Sequence, residues 1–70
     1  MIPLYLSSTN EEQVIRRISG TPEVKKHLED LGFSAGSSVT VISTIGGNII
    51  VKVKESRIAI SREMALKILV

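Results

Sequence analysis

Seventy residues suit one domain, expected to span residues 1–70, and leave no room for a second of ordinary size. Nine Lys and Arg against seven Asp and Glu leave a formal charge of +2, too little to draw nucleic acid or an anionic membrane by its field alone. The absence of cysteine removes disulfides, thiolate metal sites and a cysteine nucleophile, and fits a cytoplasmic protein better than a secreted one.

The hydrophobic fraction of 43% is ample for folding, but one Phe, one Tyr and no Trp mean that Ile, Val and Leu must build the core. That β-branched bias favours sheet. A domain this small is held by a net ~3–5 kcal/mol, so a single poor core position matters. Met1-Ile2-Pro3-Leu4 lacks the basic start and apolar run of a signal peptide. No stretch approaches the ~20 apolar residues of a membrane span, so direct membrane insertion is not expected.

In chain order, Met1 to Leu6 is apolar, and Pro3, with no N–H to give, suits an edge or a segment laid across the domain. Ser7 to Glu12 is turn material in which Asn10 tolerates a positive φ. Gln13 to Ile18 reads as one strand, with Val14, Arg16 and Ile18 on one side and Ile15 and Arg17 on the other.

The most informative stretch runs from Thr21 to Val41. Thr21 is a helix cap, Pro22 fits the first helical position, and Glu23 meets the positive end of the dipole. Val24, Leu28 and Leu31 recur on one face, Gly32 stops the helix, and Gly36 closes a turn before a strand from Val39 to Thr44. Ile45-Gly46-Gly47-Asn48 is a hairpin turn, and Ile49 to Lys54 returns with Ile49, Val51 and Val53 facing the core. A turn at Glu55-Ser56 leads to a strand, Arg57 to Ile60. Ser61 then caps one helical turn, Arg62 to Lys67, before Ile68-Leu69-Val70 pairs as a last strand. The expected fold is mostly β with one short α-helix, a small barrel of about five strands.

The ordered set Gly20, Leu28, Leu31-Gly32-Phe33, Gly36, Val39 and Val41 resembles the core motif of FeoA-type proteins. The likeness continues through Gly46-Gly47-Asn48, Ile58-Ala59-Ile60 and Arg62-Glu63-Met64-Ala65 to Ile68 and Val70, covering nearly the whole chain. FeoA-type proteins are small cytosolic accessory proteins of bacterial ferrous-iron uptake, so the resemblance implies an SH3-like barrel and, as partner, the cytosolic G-protein region of the ferrous-iron permease. It does not require iron to touch the protein. The same module resembles the C-terminal domain of metal-dependent repressors, which leaves as the alternative a regulatory module that senses metal or binds nucleic acid. Such a repressor would carry a helix-turn-helix upstream, whereas this chain begins almost directly at the barrel.

Enzymatic readings lack parts: one histidine, no cysteine, no phosphate loop and no carboxylate pair in an evident cleft, so no catalytic residue and no cofactor are expected. Adjacent Glu29 and Asp30 read as solvated helix charges. Glu23, His27 and Asp30 fall at i, i+4, i+7 and are the one candidate metal constellation, though a single exposed helix face fixes no coordination geometry. Arg16, Lys52, Lys54 and Arg57 would form a basic stripe on strands, but nucleic-acid binding is disfavoured because only Tyr5 and Phe33 could serve as stacking platforms. What remains is a binding module. Its expected patch is the exposed part of the helix, with Leu28, Leu31 and Phe33 as apolar anchors and Lys25, Lys26 and Glu29 as rim. Leu28 and Leu31 read equally well as core. A weak homo-oligomer is also left open.

Overall fold

The helix from Thr21 forms as its local signals direct. In a computed structural model that describes residues 1–70, α1 spans Pro22–Asp30, and the Thr21 hydroxyl accepts from the Val24 N–H at 3.3 Å. Leu31 caps its end and Gly32 follows at φ 106°. The Gly32 N–H donates to the Glu29 carbonyl and the Phe33 N–H to the Leu28 carbonyl, both at 2.9 Å. This paired arrangement is the Schellman motif, which satisfies carbonyls the helix would otherwise orphan and folds the residue after the glycine back onto the helix.

Six strands and a second helix complete the fold. They are β1 (Glu12–Val14), β2 (Arg17–Ile18), β3 (Ser38–Ile45), β4 (Asn48–Val53), β5 (Ser56–Ile60) and β6 (Ile68–Leu69), with α2 at Arg62–Lys67. One sheet has the order β1-β3-β4-β5 and the other pairs β2 with β6; all of these strand pairs are antiparallel. Gly46-Gly47 joins β3 to β4, and a register shift between Val41 and Ser43 marks a bulge in β3. Ser61 caps α2 by accepting from the Met64 N–H at 3.2 Å.

The single strand expected from Gln13 to Ile18 is broken in two. Ile15 and Ile18 are both buried, and residues three apart cannot face the same way in one extended strand with a side-chain period of two. The chain therefore bends at Ile15-Arg16: the Ile15 N–H donates to the Ser37 carbonyl on the first sheet's side and the Arg16 N–H to Leu69 on the second, each at 2.8 Å. Val14, expected on the face of Ile18, is 48% exposed. The break is why there are six strands rather than about five, and it carries the chain from one sheet to the other.

The turn expected at Glu55-Ser56 sits one residue earlier. Val53 pairs with Ser56, so Lys54-Glu55 is the loop, and Lys54 adopts φ 54°. Asn10 has φ 60°, as its tolerance allowed. The opening segment lies across the end of the barrel: Ile2 and Val70 exchange backbone bonds of 2.9 and 2.8 Å, and Pro3 bridges to Leu69. Leu4, in a single turn of 3-10 helix at Leu4–Leu6, is thereby buried.

The buried residues form one cluster and every one is apolar. Its rows are read from the register: Val39 opposite Val53, Val41 opposite Val51 and then Ile58, and Ile49 opposite Ile60. Ile49, Val51 and Val53 face inward, as their alternation predicted. The architecture is the mostly β small barrel anticipated from composition and turns.

Candidate partner-binding surfaces

The helix patch is smaller than its sequence suggests. Leu28 and Phe33 have no exposed surface, so neither is available to a partner in this conformation. The Schellman motif is the reason: it sets Phe33 against the Leu28 turn, and both side chains join the core. Leu31 is half-buried against the same core. Lys25, Lys26, His27, Glu29 and Asp30 are exposed. The face α1 offers is thus polar, with the Leu31 edge as its apolar part.

Glu23, His27 and Asp30 are all exposed, and no group of three or more acidic, histidine or cysteine side chains is arranged to hold a metal ion. Helical spacing aligns the three residues without converging them. The proposed basic stripe also divides. Lys52 and Arg57 sit directly opposite each other on β4 and β5, with Lys54 just beyond in the turn. Arg16 lies apart, in the bend between β1 and β2, where its N–H is tied to Leu69.

The outer face of the first sheet reads across its strands as Glu12, Thr40, Lys52, Arg57. Beside this row lies an open groove of about 370 Å³, lined by Glu12, Ser38, Thr40, Lys52 and Lys54 with Ser37 and Glu55, and without an apolar side chain. A second open groove of about 590 Å³ lies between the Gly46-Gly47 hairpin tip and α2, where Leu66 is the one hydrophobic lining residue. At the start of α2 the Arg62 guanidinium stands 5.9 Å from the centre of the Tyr5 ring, a cation–π distance. Neither groove contains a histidine. No helix is long and apolar enough to cross a membrane.

Two surface features escaped sequence reasoning. The like-charged Lys52–Arg57 pair depends on a strand register that only the turn position reveals. The open backbone edge of β5 depends on which strand ends the sheet, and no local motif announces it.

A six-stranded barrel with a capped helix between its second and third strands, polar grooves and an apolar core defines a small SH3-like module. The FeoA domain model matches residues 2–70, and the chain belongs to that family. A Methanocaldococcus jannaschii protein provisionally named Fe(2+) transport protein A is 34% identical over 70 residues, covering 100% of this chain and 85% of the relative. The crystal structure of Stenotrophomonas maltophilia FeoA with zinc, described as a procaryotic SH3 domain protein, superposes with a TM-score of 0.82 at 20% identity, covering 99% of this chain and 88% of that one. A manganese-dependent transcriptional repressor shares the fold at a TM-score of 0.84 and 20% identity, over 94% of this chain but 38% of its own. Identities this low speak to fold and no further.

Proposed function

We propose that this protein is a non-enzymatic accessory module of ferrous-iron uptake that acts from the cytosolic side by binding the G-protein region of the ferrous-iron permease. The observation that carries the reading is the family match over residues 2–70. It is supported by the name of the M. jannaschii relative and by the suggestion that the S. maltophilia protein is a ferrous-iron transport activating factor. A barrel with no membrane-crossing helix would influence a transporter by surface contact.

The contact is assigned to the exposed face of α1, with Lys25 and Lys26 as its cations and the half-buried Leu31 at the helix end, while Leu28 and Phe33 are buried beneath. Lys25→Glu with Lys26→Glu is expected to weaken association with the purified G-protein domain by about 1–3 kcal/mol, measured by calorimetry, without loss of fold. An unchanged Kd removes α1 from the interface.

The regulatory alternative is separated by metal and nucleic-acid titrations. Zinc or ferrous iron is expected to bind weakly, because Glu23, His27 and Asp30 do not converge. Submicromolar binding abolished by His27→Ala would favour a sensor, as would nucleic-acid binding that is sequence-selective and persists in high salt.

A further inference from the structure

We propose that the free edge of β5 is a docking site for an acidic, extended segment of a partner protein, which adds to the sheet as a further strand. β5 ends the four-stranded sheet and pairs with β4 alone. No backbone hydrogen bond beyond that hairpin involves Ser56 to Ile60. The edge of β6 is already occupied, because Ile2 and Pro3 lie along it. β1 is also an edge, but it has three residues and ends at the Ile15-Arg16 bend, so it offers a shorter template.

The alternation of antiparallel pairs fixes which groups point outward. Val53 and Ser56 close a two-residue hairpin loop as a bonded pair, so the N–H and C=O groups of Arg57 and Ala59 face away from β4. These are the groups an added strand would bond. Of the usual protections of an edge, β5 keeps one charge, Arg57, but it holds no proline, its pairing with β4 runs without a bulge, and it runs for five residues.

Two further observations specify the occupant. Ile58 lies in the inward-facing row with Val41 and Val51, both buried, yet remains half-buried because nothing flanks it on the open side. An apolar side chain on the added strand would continue that row. On the outer face, Arg57 stands opposite Lys52 with Lys54 nearby, and directly opposed like charges destabilise a sheet. Glu12 is the acidic member of that row but lies two strands from Lys52, roughly 10 Å at the usual strand spacing. Glu55 lies in the loop next to Lys54 rather than opposite either cation, so a carboxylate entering beside Arg57 would supply a counter-charge within the row. The occupant therefore alternates acidic and apolar side chains. A second copy of this chain fits less well, because antiparallel pairing of two β5 edges about Ile58 would set the two Arg57 side chains diagonally, within about 7–8 Å.

The test is independent of the iron-transport reading, since it uses no permease. The full chain, labelled with nitrogen-15, is titrated with a short peptide in which Glu alternates with Val and Thr, and with the same peptide carrying Lys for Glu. Shifts concentrated on Ser56 to Ile60, slowed exchange of the Arg57 and Ala59 amides, and binding of the Glu peptide about tenfold tighter than the Lys peptide are expected. Arg57→Glu, an exposed substitution, should reverse that preference. Silence of β5 at millimolar peptide, shifts confined to α1, equal affinity for both peptides, self-association through β5, or stronger perturbation of β5 by a single-stranded RNA would each overturn the proposal.

Discussion

The corner where α1 meets β3 and the outer edge at β5 are built on opposite terms. At the corner, the carbonyls of Leu28 and Glu29 are satisfied by Phe33 and Gly32, and the Gly36 N–H donates to Ile15 at 2.7 Å. Leu28 and Phe33 are sealed, and the Ser34 and Ser37 hydroxyls bond each other at 2.9 Å. At β5 the outward backbone groups of Arg57 and Ala59 have no protein partner, Ile58 is half covered, and two cations stand opposite each other. The comparison teaches that residues of the family-like motif can serve the fold rather than a contact surface. Leu31-Gly32-Phe33 and Gly36 hold the corner together, while the proposed docking edge lies on residues with no such signature.

The largest expected effect is therefore structural and falls at the corner. Phe33→Ala removes the largest fully buried side chain and is expected to cost about 3–5 kcal/mol, near the whole stability of a domain this size. Chemical denaturation should find the variant largely unfolded. A folded variant with wild-type stability would mean that the ring is not a core element, and the comparison would fail at its better-defined end.

Gly36→Val tests the backbone of the same corner. Gly36 has φ 92°, and a Cβ there would meet nothing within 4 Å, so the cost expected of a β-branched residue is the dihedral strain. The expected loss is about 1–3 kcal/mol, read as a lowered Tm. An unchanged Tm would show that the turn accommodates a side chain by relaxing.

Legibility divides along the same line. Thr21-Pro22, Gly32, Gly46-Gly47 and Ser61 are local signals, each acting within a few residues, and each marks a boundary the structure keeps. The bend at Ile15-Arg16 is not local, because it is imposed by Ser37 and Leu69, which lie far along the chain. Phe33, expected as an apolar anchor of the helix patch, is instead fully buried. Its position after the helix stop was legible, but not that the contact back onto Leu28 would cover the ring completely. Of the candidate contact residues, Lys25 and Lys26 could be placed at the surface from helical spacing alone, whereas the Lys52–Arg57 opposition requires knowing that the loop is Lys54-Glu55.

The smallest effect sharpens the open side of the comparison. If Lys52 and Arg57 repel across the β4–β5 pair, Lys52→Glu should turn a like-charged pair into an opposite one and stabilise the domain by about 0.2–1 kcal/mol at low salt. Glu is a poorer strand residue than its uncharged counterparts, which works against the gain, so Lys52→Gln is the reference that isolates charge from strand preference. The difference between the two variants should shrink toward zero near 1 M salt, where the screening length falls to about 3 Å. Both positions are exposed, so packing should not contribute. A Glu variant no more stable than the Gln variant at low salt would mean that the two cations already splay into solvent without cost. A gain that survived high salt would place its origin in the strand backbone rather than in the charges. The same substitution should weaken the acidic peptide at β5, because it removes one of the cations that a carboxylate would meet there.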